Sequence, residues 1–447
     1  MSPATPDAST GDHPGAKTFP PGPATRGSMT PGGPGAPTLA DVAPEDVGVD
    51  PAALDRAVAL AVADEPDLPR DMRAWLATTL ASEPWPHIMG PVRDRAEPSG
   101  VAIVGGRTIA RWGRPEEPDM AFSIAKSALA LVAGVARRDG RLTDLDRPAV
   151  LDVPLEALGG TVPAGGRPGI VGPDRFGGRG GTLPGGVAPD GPEHDAHRAA
   201  ARRITWRHLL TQSSDWRGSL YDVPWWADPQ GRQPPDEPVH GPGARYAYND
   251  IRTNLCSLAL THLNGASGLE VLRDRVLVPI GGAPDVRWHG LDGMRTTLTD
   301  GRTVDVVTGG SHWGGGLWTT ATDLARLGLL VLADGHWGGE RILDPAWCRA
   351  MVSPSVLRPA YGLMWWRNPA AGLAHAVPGV PGAPPVGAVA DHQAHYPGSS
   401  VRGFAAHGTG DQVVWCDPDR DLVVVLRWSA APEPILAAFT AAVPATG

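Results

Sequence analysis

The chain has 447 residues, a formal net charge of −9 at pH 7 and a hydrophobic content of 42%. This length allows one large enzyme domain or about two or three average domains, and it supplies a sizeable core. The charge is negative and the sequence has no basic run. Neither nucleic acid nor an anionic membrane surface is therefore expected as a partner. A small-molecule substrate fits this composition better.

Glycine and proline, 58 and 48 residues, are concentrated in three stretches of the chain. Residues 1–40 cannot bury enough apolar surface to offset their chain entropy, so we predict a disordered tail. Residues 41–447 are then expected to form a single domain. Within this domain the segments at about 159–193 and 370–397 lack hydrophobic periodicity, and we predict that both are flexible insertions.

The cysteines and histidines give no indication of a disulfide framework or a metal centre. Cys256, Cys348 and Cys416 are widely separated and have no C-x-x-C spacing. His194 and His197 form a close pair, but the polar segment around them offers no further ligands. We therefore expect no metal. The sequence begins without an apolar signal core, and no apolar run is long enough to cross a membrane, so we expect a cytoplasmic protein.

Hydrophobic periodicity and turn residues predict strands at both ends of the chain, with helices between and beyond them. Helices are predicted over 51–63, 123–139, 205–210, 255–263, 324–333 and 432–442. Strands are predicted over 100–104 and 108–112, joined as a hairpin at Gly105-Gly106, and over 361–366, 401–407, 412–416 and 422–428.

This order of elements predicts an α+β fold in which one antiparallel sheet is built from both chain ends and is flanked by helices. A mostly helical second lobe lies beside the sheet. We expect the sheet lobe to include about 98–120 and 285–447, and the helical lobe to include about 121–284.

The helix that starts at Ser123 carries the first candidate site. Ser123 and Lys126 form an S-x-x-K pattern, which places a hydroxyl and an ammonium on one helix face beside the positive end of the helix dipole. The chain has only one other lysine, Lys17 in the tail; all other cationic side chains apart from histidine are arginines. A buried lysine can act as a base, whereas arginine cannot. This pattern favours a nucleophilic Ser123 with Lys126 as a proton-transfer group over a capping serine followed by a surface lysine.

Two further motifs complete a resemblance. Tyr248-Asn249-Asp250 follows Pro242-Gly243, and His407-Gly408-Thr409-Gly410 lies between two predicted strands. Together with Ser123 and Lys126, these motifs resemble those of the serine β-lactamase and penicillin-binding-protein superfamily, in particular its class C-like esterase and amide-hydrolase branch. The resemblance covers roughly 44–443 and implies a β-lactamase/transpeptidase-like fold with a catalytic domain.

The resemblance implies that Tyr248 is the catalytic tyrosine and that Tyr246 is a packing aromatic. Asp250 stands where the superfamily usually has Asn. A carboxylate near Lys126 favours the charged form of the amine and opposes its use as a lone base. We therefore expect Tyr248 to be the working base, held ionisable by a protonated Lys126. Asp250 is also a candidate substrate-binding residue.

In the third motif, the resemblance assigns an oxyanion hole to the backbone N–H groups of Ser123 and Gly410. The alternative is an ordinary glycine hairpin. His407 occupies the place of a cationic lysine and is expected to contact substrate. Trp216 and Tyr221, in the aromatic loop at 211–228, are further substrate-binding candidates, with local packing as the alternative. His312 and Trp313, in the glycine-dense turn at 309–316, complete these candidates.

The mechanism implied is two-step acyl transfer through an acyl-enzyme on Ser123, with Lys126 and Tyr248 moving protons and no cofactor. The substrate would be a small ester, amide or lactam; the sequence does not indicate an oligomeric state. An α/β-hydrolase is not indicated, because no G-x-S-x-G surrounds Ser123.

One alternative is a catalytically silent ligand-binding protein, motivated by Asp250 and by the absence of lysine from the third motif. Another is a D,D-peptidase or β-lactamase, disfavoured because no export signal is visible.

Overall fold

The computed structural model describes most of the region predicted to fold. The described residues are 37–83, 85–153, 199–221, 223–230, 240–369 and 396–446. The predictions for residues 1–36 of the tail, for the insertion at 159–193, for 370–395 and for the pair His194 and His197 lie outside the described residues.

Helices are distributed along the whole described chain. In order they are α1 (Pro51–Ala63), α2 (Met72–Leu80), α3 (Ile124–Arg138), α4 (Trp206–Leu210), α5 (Asp250–Asn264), α6 (Gly268–Leu272), α7 (Ala321–Leu332), α8 (Pro345–Met351) and α9 (Pro432–Ala442). No helix of the described residues is long and apolar enough to cross a membrane.

Strands occur mainly before α3 and in the last third of the chain. In order they are β1 (Ser99–Val104), β2 (Arg107–Trp112), β3 (Asp119–Met120), β4 (Ser219–Leu220), β5 (Val223–Pro224), β6 (Arg287–His289), β7 (Arg295–Thr297), β8 (Thr303–Asp305), β9 (Gly316–Thr319), β10 (His336–Trp337), β11 (Glu340–Arg341), β12 (Trp366–Arg367), β13 (Phe404–Gly408), β14 (Gln412–Asp417) and β15 (Leu422–Arg427).

The main sheet has the strand order β12-β13-β14-β15-β1-β2, and all its neighbouring strands are antiparallel. The first and last long strands, β1 and β15, are neighbours in the interior of the sheet, where Val101 pairs with Val425. Gly105 and Gly106 both have positive φ, as a two-residue hairpin turn between β1 and β2 requires. The expected α+β fold, with one antiparallel sheet built from both chain ends, is confirmed.

Successive side chains of the central strands point to opposite faces of the sheet, so the core has two layers. Val424 packs with α1 and α9 on one face of the sheet, whereas Val423 and Val425 pack with α3 and α7 on the other. Because successive side chains of a strand point to opposite faces, a continuous apolar run such as β15 serves both layers. This arrangement buries α3 on nearly all sides and fixes the position of its N-terminus.

Some predicted boundaries are confirmed and others are wrong. The helices predicted over 51–63 and 432–442 are α1 and α9. The strand predicted over 361–366 is reduced to Trp366–Arg367, because Met364 has a positive φ and Gly362 N–H bonds back to Trp365 O, which turns the chain. The helix predicted to begin at 255 begins at Asp250 instead, since Asn249 caps it by accepting from Arg252 N–H at 2.9 Å.

Candidate active site

Ser123 lies at the junction between β3 and α3, where the chain is tightly constrained. Phe122 has a φ of +47°, an uncommon backbone conformation for a bulky residue, and its ring packs edge-on against Trp428. Ala121 N–H donates to Leu317 O at 2.8 Å on the strand side of this turn. The Ser123 side chain makes no capping bond to its own helix. Its hydroxyl is therefore available for other contacts.

Lys126 lies one helical turn later and is 1% exposed. Its Nζ is 2.8 Å from Ser123 Oγ and 2.5 Å from Asp250 Oδ1. Burial lowers the pKa of Lys126, but the attraction of Asp250, together with Tyr248, outweighs burial and leaves the pKa above its ordinary value. The lysine is therefore an ammonium at neutral pH.

Tyr248 completes the group around the serine. Lys126 Nζ lies 4.5 Å from the centre of its ring, and Trp366 and Tyr361 pack against it at ring-centre distances of 5.8 and 6.3 Å. Burial and the charge of Asp250 raise the pKa of the Tyr248 phenol, whereas Lys126 and hydrogen bonding with Ser123 lower it. The net pKa lies above the ordinary value, so Tyr248 is a neutral phenol in the resting site. The expected tyrosinate base does not agree with this environment.

A second carboxyl group stands behind Asp250. Asp228 is fully buried, and its two oxygens accept the backbone N–H groups of Asp250 and Gln230. Burial and the neighbouring charge of Asp250 raise the pKa of Asp228 to about 8. Asp228 is not among the sequence-predicted residues. Asp228 directly follows the turn Trp225–Ala227, in a loop that is separate from the three motifs. Its distance along the chain from these motifs follows no fixed spacing, so no sequence pattern indicates it.

Two glycines bring the 309–316 segment against the start of α5. A Cβ on Gly310 would lie 2.4 Å from Asp250 Oδ2, and a Cβ on Gly309 would lie 2.1 Å from Thr253 Cγ2. Real Cβ atoms do not approach other heavy atoms so closely, so these positions require glycine. The glycines of this segment thus allow close backbone packing against the Asp250 side chain.

The third predicted motif reaches Ser123 through Gly408. A Cβ on Gly408 would lie 2.4 Å from Ala121 O and 3.3 Å from Ser123 N, so the end of β13 packs directly on this junction. Gly410 has a φ of +77° in the following turn and packs on Trp428. Pairing of the Gly410 N–H with that of Ser123 stays a prediction.

His407, the residue before Gly408, is buried, and its Nε2 lies 3.1 Å from Asp411 Oδ1 across the turn. The Asp411 side chain is 46% exposed, so this turn presents a carboxylate to solvent. The end of β13 and the turn after it therefore combine a buried histidine with an exposed acidic side chain.

A buried polar bracket, formed by Gln412 and Arg427, ties this turn to the chain before Ser123. Gln412 Nε2 donates to Thr409 O and to Met120 O, both at 3.0 Å. Arg427 donates through Nε to Gln412 Oε1 at 2.5 Å, and through its other nitrogens to Thr319 O at 2.9 Å and Met120 O at 3.1 Å. The bracket fixes the spacing between the 409–411 turn and the Ser123 junction. Sequence reasoning missed both residues.

Two of the four predicted loop residues lie between α4 and α5. Trp216 is 4% exposed, and its backbone carbonyl accepts from Arg252 Nε at 3.0 Å. Tyr221 has a φ of +50° and donates its hydroxyl to Arg295 O at 3.1 Å. These contacts support local packing, and a substrate-binding role for either residue stays a prediction.

The other two lie in the glycine-dense segment. Trp313 is 1% exposed and donates its Nε1 to Trp85 O at 3.1 Å, while His312 packs edge-on against the Trp313 ring at 4.6 Å. Both follow Gly310, which contacts Asp250, within three positions. Their role as substrate contacts is likewise a prediction. The described part of the chain contains no cluster of three or more His, Cys, Asp or Glu side chains that could hold a metal ion.

A family model described as Beta-lactamase matches residues 89–441, which is most of the chain. An uncharacterised protein of Mycobacterium tuberculosis is 29% identical over 127 residues, a match that covers 25% of this chain. That match spans 31% of the relative's own length.

Three solved structures resemble this chain over most of its length. A penicillin-binding-protein homologue from Caulobacter crescentus has a TM-score of 0.48 at 14% identity and covers 85% of this chain and 100% of its own. A putative 6-aminohexanoate-dimer hydrolase from Bacillus anthracis has a TM-score of 0.46 at 16% identity, covering 77% and 76%. A D-stereospecific amidohydrolase from Streptomyces sp. has a TM-score of 0.46 at 15% identity, covering 87% and 98%.

Proposed function

The chain belongs to the Beta-lactamase family of hydrolases, and we propose that it is a serine hydrolase that cleaves a small ester or amide through an acyl-enzyme on Ser123. One observation carries this proposal: the Ser123 hydroxyl is 2.8 Å from the ammonium of a buried lysine at the N-terminus of a helix. A structural capping serine would instead bond to the N–H groups of its own helix, which this side chain does not do.

The proposed reaction has two steps. Ser123 Oγ attacks the substrate carbonyl, and the backbone N–H groups of Ser123 and the 409–411 turn stabilise the oxyanion. Lys126 and Tyr248 move the protons; Tyr248, a neutral phenol, can donate to the leaving group. Water then attacks the acyl-enzyme and releases the acid. No metal or organic cofactor is part of this scheme.

The charges around Ser123 favour a neutral substrate over an anionic one. Lys126 is paired with Asp250, and His407 faces Asp411 at the sheet edge. The ammonium of Lys126 is therefore not positioned as a lone partner for a substrate carboxylate, and Asp411 beside His407 would repel one. We propose neutral esters and amides as the preferred class of substrate, with β-lactams as weak substrates.

The buried, unbridged thiols of the three cysteines fit a reducing cytoplasm.

A second candidate function follows from the Lys126–Asp250 pair. A protonated lysine is a poor general base, so the same fold could bind a ligand without turning it over. In that case a small molecule should raise the melting temperature of the protein while no acyl-enzyme ever forms. The serine-lysine contact favours the hydrolase, since it has no evident purpose in a purely binding site.

The test is covalent labelling with a fluorophosphonate combined with turnover of p-nitrophenyl esters. We expect one adduct on Ser123, and both labelling and turnover should be lost in Ser123→Ala. Ser127→Ala is a matched control, because Ser127 is a buried serine of the same helix whose hydroxyl donates to Met364 O at 2.7 Å. It should label as the wild type does. No adduct and no turnover over a broad ester panel would reject the hydrolase function.

A further inference from the structure

Ser123, Lys126 and Asp250 form a continuous line of hydrogen-bonded groups. Lys126 Nζ lies between the two oxygens, 2.8 Å from Ser123 Oγ and 2.5 Å from Asp250 Oδ1. The lysine and aspartate side chains are 1% and 5% exposed. Because both distances are hydrogen-bond distances and water has little access, a proton can pass along this line without a solvent molecule.

The groups around Ser123 differ in their ability to accept its proton. Lys126 is an ammonium and Tyr248 is a neutral phenol, since the pKa of each lies above its ordinary value. Asp228 also holds a proton at neutral pH, because burial and the nearby Asp250 raise its pKa to about 8. Among these neighbours Asp250 is the group whose side-chain oxygen accepts directly from the ammonium, at 2.5 Å.

We propose that Asp250 is the acceptor of the Ser123 proton, which reaches it through Lys126; this inference rests on the proposed function. As Oγ bonds to the substrate carbonyl carbon and the carbonyl π bond opens, the Oγ proton moves to Nζ. In the same step one Nζ proton moves to Asp250 Oδ1. Lys126 remains an ammonium, Asp250 becomes a neutral acid, and the negative charge is transferred to the substrate oxyanion. When the intermediate collapses, Tyr248 gives its proton to the leaving group, and the proton held by Asp250 returns through Lys126 to Tyr248. Asp250 is then again a carboxylate and Tyr248 again a phenol.

The surroundings of Asp250 hold its carboxylate in position for this role. Asp250 is the first residue of α5, and its backbone N–H is bonded to Asp228. Gly310 packs against the other carboxylate oxygen, Oδ2, where any Cβ would overlap it. The groups that face the carboxylate are thus Lys126, Tyr248 and Asp228, of which only Lys126 carries a positive charge.

Asp250→Asn tests the proposal, because an amide keeps the shape of the side chain but cannot accept a proton. Under the relay, kcat/KM for a p-nitrophenyl ester at neutral pH should fall by about 10² to 10⁴, the usual contribution of a positioned base. Activity should then rise with pH, because loss of the carboxylate lowers the pKa of Lys126 and lets the neutral amine act. If Asp250 only holds a charge, the variant would be as active as the wild type, or more active, at neutral pH; this result would overturn the proposal.

Asp323→Asn is the matched control, because Asp323 is a buried carboxylate paired with an arginine, Arg326, at 2.7 Å on another helix. It should lower the melting temperature without the change in pH profile. If Asp250→Asn loses activity only because it is unstable, Asp323→Asn should lose activity together with its melting temperature in the same way.

A second measurement uses the wild type alone. The single-turnover acylation rate in mixtures of H₂O and D₂O should follow a bowed curve, because two protons move in one step. A straight line, which indicates one moving proton, would overturn the relay. These tests separate the two proposals: turnover with an adduct on Ser123 but a fully active Asp250→Asn variant rejects the relay alone. Absence of the adduct rejects both.

Discussion

Two buried cations contact the chain around Ser123, Lys126 at the hydroxyl itself and Arg427 at the backbone of Met120, and they differ in kind. Lys126 faces the hydroxyl and is bonded to side-chain oxygens of Ser123 and Asp250. Arg427 makes no contact with the hydroxyl among these bonds; its three nitrogens donate to one side-chain oxygen and two backbone carbonyls. Burial lowers the pKa of Arg427 to about 10, which leaves it charged at neutral pH.

The difference separates proton transfer from positioning. An ammonium carries three exchangeable protons on one atom and can pass a proton between neighbours, whereas a guanidinium has a fixed planar fork and keeps its protons. The lysine therefore suits the reacting side of Ser123. The arginine suits the position where the 409–411 turn must stay at a constant distance from the chain before Ser123. Exchanging the two residue types should reveal which role each position has.

Lys126→Arg should have the largest effect on catalysis. The positive charge is kept, but the guanidinium cannot exchange its protons in the reaction, so kcat should fall by about 10² to 10⁴. The larger head group in a buried site should also cost about 1–3 kcal/mol of stability. Steady-state turnover of a p-nitrophenyl ester and urea denaturation measure both effects. Near-full activity would mean that the lysine acts only through its charge.

Arg427→Lys is the reverse exchange, and its main effect should be on stability. A single ammonium cannot reach all three acceptors of the guanidinium, Gln412 Oε1, Thr319 O and Met120 O. Each buried acceptor left without a donor costs about 1–3 kcal/mol. Because Gln412 Nε2 still donates to Met120 O, kcat should fall less than in Lys126→Arg. If Arg427→Lys is stable but loses as much kcat as Lys126→Arg, Arg427 would also have a role in proton transfer.

Asp228, next to Asp250, should make the free energy of unfolding depend on pH. An unfolded aspartate loses its proton near pH 4, whereas burial raises the pKa of folded Asp228 to about 8. Between about pH 4 and 8 the folded state holds a proton that the unfolded state has lost. The free energy of unfolding therefore decreases as pH rises through this range, and the loss is complete above about pH 8.

Asp228→Asn should remove this dependence. The variant loses one acceptor oxygen and should melt below the wild type at about pH 5, and the difference should narrow toward about pH 9. Asp300→Asn serves as control, since Asp300 is exposed and hydrogen bonds from Arg302 lower its pKa. Stability gained by that group is lost only as pH falls, so its melting difference should stay constant over this range. A constant or widening difference for Asp228→Asn would show that Asp228 is ionised throughout.

Strong local signals made much of the fold predictable. The periodicity of α1 and α9, each opening with proline, and the Gly105-Gly106 turn are short-range features that tertiary contacts do not override. The β-lactamase/transpeptidase-like fold expected from the three motifs is confirmed by the family match. The segment at 361–366 was interpreted wrongly, because its apolar residues fill a core turn with Met364 in the left-handed region.

The candidate site was predictable only where spacing carries information. A helix places Ser123 and Lys126 on one face, so their contact follows from a separation of three residues. Asp228, Gln412 and Arg427 come from a loop and two strands, and their side chains meet the site only through tertiary packing. Polar residues within β runs would ordinarily be assigned to a solvent-facing side.

The smallest expected effect concerns His407 at the sheet edge, where a third cation could be introduced. His407→Lys would supply the permanent charge that a β-lactam carboxylate requires, and a charge-assisted contact of about 1.5–3 kcal/mol corresponds to roughly a 10- to 100-fold change in affinity. Because Asp411 lies 3.1 Å from the histidine, it should pair with the new lysine and reduce the gain to about 10-fold or less. Adding Asp411→Asn should recover part of the difference. Binding of a cephalosporin, measured by competition with ester turnover, checks both variants. A wild type that hydrolyses a cephalosporin as fast as its best ester would show that lactam recognition here does not depend on this edge.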